Sequence, residues 1–198
     1  MEARNKMSDE DIAKTYVITD THFFHDRIIT DFGFRPPNFN QLIINNWINT
    51  VGEDDIVIHL GDVIWGNQDQ LKSVMGQLTG NIILVRGNHD KSHSNNWFIQ
   101  AGFCAVFEKV QMSGVIFSHV PAIMNQEEID RGLINVFGHF HNNGPDRWEK
   151  DYKQRITPNH FLLSLEDVNY SPVSLEKIKR QKYVKNAYNM LKSENKCI

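Results

Sequence analysis

A chain of 198 residues that is 40% hydrophobic and 23% charged has the make-up of one globular domain, spanning 1–198, with a full hydrophobic core. Its formal net charge of −3 gives no overall pull toward nucleic acid, and its two cysteines, Cys104 and Cys197, are too few and too far apart for a disulfide framework. Segment 1–14 is charged with no apolar centre and no apolar run approaches the ~18 residues of a membrane span, so neither a secretory signal nor a membrane partner is expected, and a cytoplasmic location is.

Tyr16-Val17-Ile18-Thr19-Asp20 reads as a first strand, and His22 lies two positions beyond its acidic end, which in extended chain is the same side. Ile28-Ile29 opens a helical pattern; residues 33–37 form a loop in which Arg35 precedes two prolines that keep it out of helix. Residues 39–51 read as an amphipathic helix with Leu42, Ile43, Trp47, Ile48 and Val51 on one stripe. Asp55-Ile56-Val57-Ile58-His59-Leu60 is a second strand closing on Gly61-Asp62, and residues 68–78 carry a weaker helical pattern through Leu71, Val74, Met75 and Leu78. The run Ile82-Ile83-Leu84-Val85 is a third strand, followed by Arg86-Gly87-Asn88-His89-Asp90.

Residues 94–101 predict a short helix capped by Ser92 or Ser94. Residues 103–110 and 115–118 predict two strands turning at Ser113-Gly114, the second leading into His119-Val120-Pro121. Ile134-Asn135-Val136-Phe137 runs into Gly138-His139-Phe140-His141, residues 161–165 form a late strand, and one amphipathic helix over 174–192 places Ile178, Val184, Tyr188 and Leu191 on one side. Strands that alternate with helices early and cluster late predict an α/β (α+β) sandwich with partly parallel sheets.

Five strand ends carry metal-competent side chains: Asp20 with His22, Asp62, Asn88, His119, and His139 with His141. In open α/β sheets such ends face the crevice that ligands occupy. Oxygen and imidazole donors together suit Mn, Fe, Zn or Co, and no cysteine adjoins them to make a thiolate zinc site. Seven ligands are more than one ion needs, so two divalent ions sharing Asp62 are expected. Two such ions about 3.5–4 Å apart clamp the attacking and leaving oxygens of a phosphoryl displacement and supply hydroxide near neutral pH. His89 can carry a proton, and Asp90 can orient its imidazole by accepting the second N–H.

Asp20-x-His22, Gly61-Asp62, Gly87-Asn88-His89-Asp90, His119 and Gly138-His139-x-His141, in this order over residues 16–141, resemble the calcineurin-like metallophosphoesterases. The resemblance implies a four-layer α/β/β/α sandwich. It assigns Asp20, His22, Asp62 and His141 to one ion and Asp62, Asn88, His119 and His139 to the other, with Mn2+ first and Fe, Zn, Ni, Co or Mg as alternatives. It makes His89 the acid that protonates the leaving oxygen, held by Asp90. Asp20-Thr21-His22-Phe23-Phe24-His25 with Ile28-Ile29, and Val168-Asn169-Tyr170-Ser171-Pro172-Val173-Ser174-Leu175, look most like the compact bacterial and phage members. Protein serine/threonine phosphatases of the superfamily place an arginine shortly after the second motif. Here Val63-Ile64-Trp65-Gly66-Asn67 follow Asp62, which argues against a phosphoprotein substrate.

Arg86 and Arg35 are the alternative phosphate contacts, unless Arg86 is a structural pair and Arg35 a solvated loop charge. His25 either packs behind the ligands or touches substrate, His59 reads as a satisfied core imidazole, and His93 and His160 as loop or edge residues. Trp47 reads as core, whereas Trp65 and Trp148 either pack under the motif loops or stack on a base. The basic run Lys177 to Lys185 reads as a solvated helix face rather than a nucleic-acid contact. The expected function is a phosphodiesterase on a nucleotide or nucleic-acid end, with a phosphomonoesterase or a non-catalytic metal-binding scaffold as alternatives.

Overall fold

The computed structural model describes residues 12–30, 35–181 and 184–194; Gly33, Lys182, Cys197 and segment 1–11 lie outside these. Runs of β-branched residues bounded by Gly and Asn form two five-stranded sheets. The first contains β1 (Thr15–Ile18), β2 (Ile56–His59), β3 (Asn81–Val85), β4 (Ala105–Phe107) and β9 (Val173–Ser174), in the order β4-β3-β2-β1-β9. Strands β1 to β4 are parallel and β9 closes the edge antiparallel to β1. The second contains β5 (Val110–Met112), β6 (Val115–Ser118), β7 (Ile134–Phe137), β8 (His160–Leu162) and β10 (Lys185–Asn186), in the order β10-β8-β7-β6-β5, with both edge strands antiparallel to a parallel centre.

The sheets share one core, in which Val17, Ile58 and Leu84 of the first join Phe117, Val136 and Phe161 of the second. Strands buried on both faces account for the unbroken apolar runs. The described helices are α1 (Arg27–Thr30), α2 (Phe39–Ile48), α3 (Gln68–Met75), α4 (Asn95–Ile99), α5 (Gln126–Asp130), α6 (Lys150–Lys153), α7 (Leu175–Lys179) and α8 (Ala187–Glu194). Helix α2 buries Phe39, Ile43, Ile44 and Trp47 in the shared core. Its stripe is thus rotated from the expected one, since Ile48 stays exposed. Helix α3 starts at a capping box between Asn67 and Gln70, and α4 at Ser94, which accepts from Trp97 N–H. On the outer side of the second sheet, Phe137, Phe140, Trp148 and Leu162 make a separate cluster with Tyr188 and Leu191 of α8. Helices therefore flank both sheets of an α/β/β/α sandwich.

Two expected elements change. The single strand over 103–110 is two: β4 ends in the first sheet, the charged pair Glu108-Lys109 crosses over, and β5 begins in the second. Apolar alternation cannot reveal a switch of sheets. Ser113 and Gly114, with φ of 51° and 83°, then make the tight hairpin to β6. The helix over 174–192 is broken into β9, α7, β10 and α8, with Gln181 at φ 57° between. Its apolar residues serve two cores, Ile178 and Val184 the shared one, Tyr188 and Leu191 the outer one, and Lys185-Asn186 pair with the open edge of β8. Tertiary pairing overrides the local helical period here. His160 is a buried member of β8 whose Nε2 bonds the Ala122 carbonyl, and Trp148 is buried flat against Phe140. In the basic run, Arg180 pairs with Glu176 and Lys185 with Asp167.

Trp47 is fully buried and its indole N–H donates to Thr79 O at 2.9 Å, so size and polar atom are both accommodated. Trp47→Ala should cost about 3–5 kcal/mol in urea-unfolding experiments. A loss below about 1 kcal/mol would mean that α2 does not anchor the first sheet as described.

Candidate metal centre

The ends of β1, β2 and β7 turn sharply. Asp20, His22, Asp62, His139 and His141 all have left-handed backbones, with φ of 49°, 45°, 55°, 71° and 51°. For non-glycine residues this costs on the order of 1–3 kcal/mol each and persists only where the surroundings over-determine it. Here Asp20 N–H and His22 N–H donate to Gly61 O and Asp62 O, both at 3.0 Å, and His139 N–H donates to Asp20 Oδ2 at 2.9 Å. Gly87 packs so closely on the Asp62 carboxylate, and Gly138 on Thr19 and the Asp20 carboxylate, that any side chain at either position would displace an acid.

These turns gather the expected ligands in two groups, Asp20 with His22 and His141, and Asp62 with His119 and His139, the donor atoms within each lying within 4.8 Å of one another. Asp62 stands between them: its Oδ2 is 3.7 Å from His22 Nε2 and 3.4 Å from His119 Nε2. The other oxygen, Oδ1, accepts His89 N–H at 2.9 Å. Asn88 Oδ1 lies 2.8 Å from His119 Nε2, which brings the seventh side chain to the same place.

The donors fit a pair of divalent cations. Asp20 Oδ2 is satisfied by the Thr19 hydroxyl and His139 N–H, but Oδ1 is buried without a hydrogen-bond partner, a costly state that a cation relieves. His119 Nδ1 faces Leu60 O at 2.8 Å, which directs Nε2 to Asp62 and Asn88. Burial opposes a charge on His119, yet its bond to Asp62 and the charges of Asp20 and Asp62 raise its pKa to about 9. The same field favours a bound cation. Burial likewise would raise Asp62, but the bond to His119 and the neighbouring imidazoles hold it below the ordinary carboxylate range. His22 and His139 are pushed down by burial, toward the neutral form that ligates metal.

Other expected roles change. The Asp90 carboxylate makes no contact with the His89 ring. It accepts the backbone N–H groups of Asp62 at 2.8 Å, Val63 at 3.1 Å and Gly87 at 2.8 Å, tying the second and third motif loops together. Arg35 is not a phosphate contact: its guanidinium is fully buried and donates to Asp20 O, Thr21 O and Glu166 Oε1. Arg86 donates to Asp90 O, His93 O and Asn95 Oδ1, which makes it the structural brace of the His89 loop. His59 is the satisfied core imidazole expected. Gly61 N–H donates to Nδ1, Nε2 bonds Thr21 Oγ1, and burial lowers its pKa to about 3.

A cleft of about 320 Å³ opens over the donors, walled by His22, His25, Trp65, His89, His139 and His141 together with Arg27 and Asn143. His89 is 39% exposed, with Nε2 3.8 Å from Asp62 Oδ2. His25 stacks on Trp65 at 4.6 Å and 22°.

The sequence reading missed Glu166. Its Oε1 lies 3.0 Å from His141 Nδ1 and 2.8 Å from Arg35 Nη2, and its Oε2 accepts the Ser164 hydroxyl. Burial would raise its pKa, but His141 and Arg35 hold it well below the carboxylate range. Nothing local marks it, since it lies 25 residues beyond His141 and meets it only through the fold. Carboxylates that orient ligating imidazoles typically affect metal affinity 10–100-fold. Glu166→Gln should weaken Mn2+ binding by about that factor in equilibrium dialysis. Unchanged affinity would deny it this orienting role.

A model of the calcineurin-like phosphoesterase family matches residues 13–194. Among curated proteins, the uncharacterized protein MJ1445 of Methanocaldococcus jannaschii is 34% identical over 173 residues, covering 83% of this chain and 89% of its own length. The Gene 66 protein of Mycobacterium phage D29 is 23% identical over 158 residues, covering 66% and 79%. The crystal structure of AQ665, a protein of unknown function from Aquifex aeolicus, shares the fold, with a TM-score of 0.61 at 24% identity over 84% of this chain and 98% of that one. Among the described residues no helix is long and apolar enough to cross a membrane. With its motifs converging on one cleft and the family match running through nearly the whole of it, this chain belongs to the calcineurin-like phosphoesterase family.

Proposed function

We propose that the protein is a phosphodiesterase that holds two divalent ions, with Mn2+ the first choice, and acts on a nucleotide or nucleic-acid-end ester. The observation that carries the dinuclear reading is Asp62, whose Oδ2 stands between the two donor groups while Oδ1 is tied to His89 N–H. When bound, a pair of divalent ions neutralises phosphoryl oxygens and lowers the pKa of a water toward about 7.

The protein's own groups then divide the work. Asp20, His22 and His141 would hold one ion, and Asn88, His119 and His139 the other, with Asp62 available to both. His89 Nε2, at the edge of the cleft, delivers a proton to the departing ester oxygen. Its backbone N–H on Asp62 Oδ1 keeps the acid in register with the centre. The choice of diester over monoester rests on charge. Arg35 and the terminal nitrogens of Arg86 spend their donors on the protein, Arg86 Nε is buried, and among the described residues Arg27 is the arginine lining the cleft. A diester carries one negative charge less than a monoester dianion and asks for less cationic support.

Turnover of bis(p-nitrophenyl) phosphate with Mn2+, abolished by EDTA, is the expected result. Asp62→Asn should remove metal and activity together. His89→Ala should keep its metal and slow diesters with poor leaving groups about 10²–10⁴-fold, while nitrophenolate, which needs little protonation, leaves at a rate closer to that of the parent. Hydrolysis of p-nitrophenyl phosphate alone would turn the assignment to a monoesterase. A full rate for His89→Ala on a poor leaving group would remove its acid role.

A further inference from the structure

We infer that the site continues past His89 into a second cleft, which receives an aromatic base of the ester stacked on Trp65; this rests on the phosphodiesterase reading above. The second cleft has a volume of about 520 Å³ and is lined by Ile64, Trp65, Asn88, His89, Ser92 and His93. Trp65 and His89 border both clefts, so the two are neighbours separated by this pair of side chains.

Trp65 is held as a platform. Its backbone N–H donates to Phe23 O at 2.8 Å, Ile64 bridges Phe23, and Val63 and Ile64 are buried, yet Trp65 itself is 52% exposed. A large apolar ring fixed by its backbone and left facing water is a prepared contact surface. His25 covers one face, and His89 meets the indole edge-on at 5.3 Å and 66°. His25 lines the first cleft and not the second, whereas Trp65 lines both, so Trp65 presents to the second cleft a surface that His25 does not share. A flat heterocycle laid there gains stacking energy without base-specific hydrogen bonds. His93, itself stacked on Trp97 at 3.9 Å, and Ser92 supply polar atoms at the same cleft for a sugar.

The position of His89 between the clefts identifies the base-bearing arm as the one that leaves. Water adds its oxygen to phosphorus, the P–O bond to that arm breaks with its electron pair, and the alkoxide takes a proton from His89 Nε2. The proton that the water gives up makes good the loss, and the products are a phosphomonoester and a base-bearing alcohol.

The test is calorimetric titration of Mn2+-loaded protein with adenosine 5′-monophosphate and with ribose 5-phosphate, which share the sugar phosphate and differ in the base. The parent protein should bind the nucleotide about tenfold more tightly. Trp65→Ala should bind both alike at the parent's ribose 5-phosphate affinity, and Trp65→Phe should keep most of the preference. Equal binding of the two by the parent protein overturns the inference, as does a preference that survives in Trp65→Ala. Should Trp65→Ala lose both ligands, Trp65→Phe decides: a retained base preference supports the stack and a lost one refutes it. Absence of bis(p-nitrophenyl) phosphate turnover with the base preference intact would overturn the diesterase reading and leave the base site standing.

Discussion

The structure depends on confining buried carboxylates at the carboxyl ends of parallel strands. Asp20 and Asp62 are almost wholly removed from water, and an unpaired buried charge is among the costliest features a fold can carry. Each is therefore divided in two. One oxygen is spent inside the protein, Asp20 Oδ2 on Thr19 and His139 N–H, Asp62 Oδ1 on His89 N–H. The other faces a ring of imidazoles. The division fixes each acid in orientation and leaves one oxygen to the chemistry, so the scaffold and the site compete for different atoms of the same side chain.

The ring of donors is assembled from loops, and what makes those loops precise is a set of charges that never reach the cleft. Asp90 collects three backbone amides from two loops. Arg35 binds the carbonyls of Asp20 and Thr21 with one end of its network and Glu166 with the other, and Glu166 reaches His141. The first and last motifs are thereby joined through a single buried ion pair. Breaking such a pair strands a charge in the interior, at a cost of about 3–5 kcal/mol, so the geometry of the centre and the stability of the sandwich are coupled. The left-handed turns at five of the ligand positions are sustained by the same contacts.

This explains which parts were legible in the sequence. Strands β1, β2, β3 and β7 announce themselves as apolar runs because parallel strands are buried on both faces, and the polar residues just beyond them stand out against that background. Those positions converge as expected because the parallel order β1, β2, β3 puts their ends on one edge. Side-chain destinations were harder to read. Asp90 adjoins His89 in sequence, yet a residue in a 3₁₀ turn (His89–Ser92) points away from its neighbour, and its carboxylate finds amides instead of the ring. Arg35 and Arg86 look like phosphate ligands by residue type alone, and only the tertiary structure shows the Arg35 guanidinium and the terminal nitrogens of Arg86 already engaged. The broken C-terminal helix fails for another reason: its apolar residues keep a helical period while serving cores on two sides of a sheet.

His59 illustrates how far the support extends. Gly61 N–H donates to Nδ1, so that nitrogen must carry the lone pair and Nε2 the proton, which goes to Thr21 Oγ1. The Thr21 hydroxyl in turn donates to Val63 O at 2.8 Å, and every partner in this chain is set. A protonated ring would face the Gly61 N–H with a second N–H, which agrees with its pKa near 3. The imidazole thus acts as a neutral strut between the first motif loop and the second, two turns that also exchange backbone bonds at Asp20–Gly61 and His22–Asp62. His59, interchangeable by type with the ligand histidines, is distinguished by having no lone pair left to offer. That saturation, in Asp90 and Arg35 as much as in His59, separates the frame from the centre it surrounds.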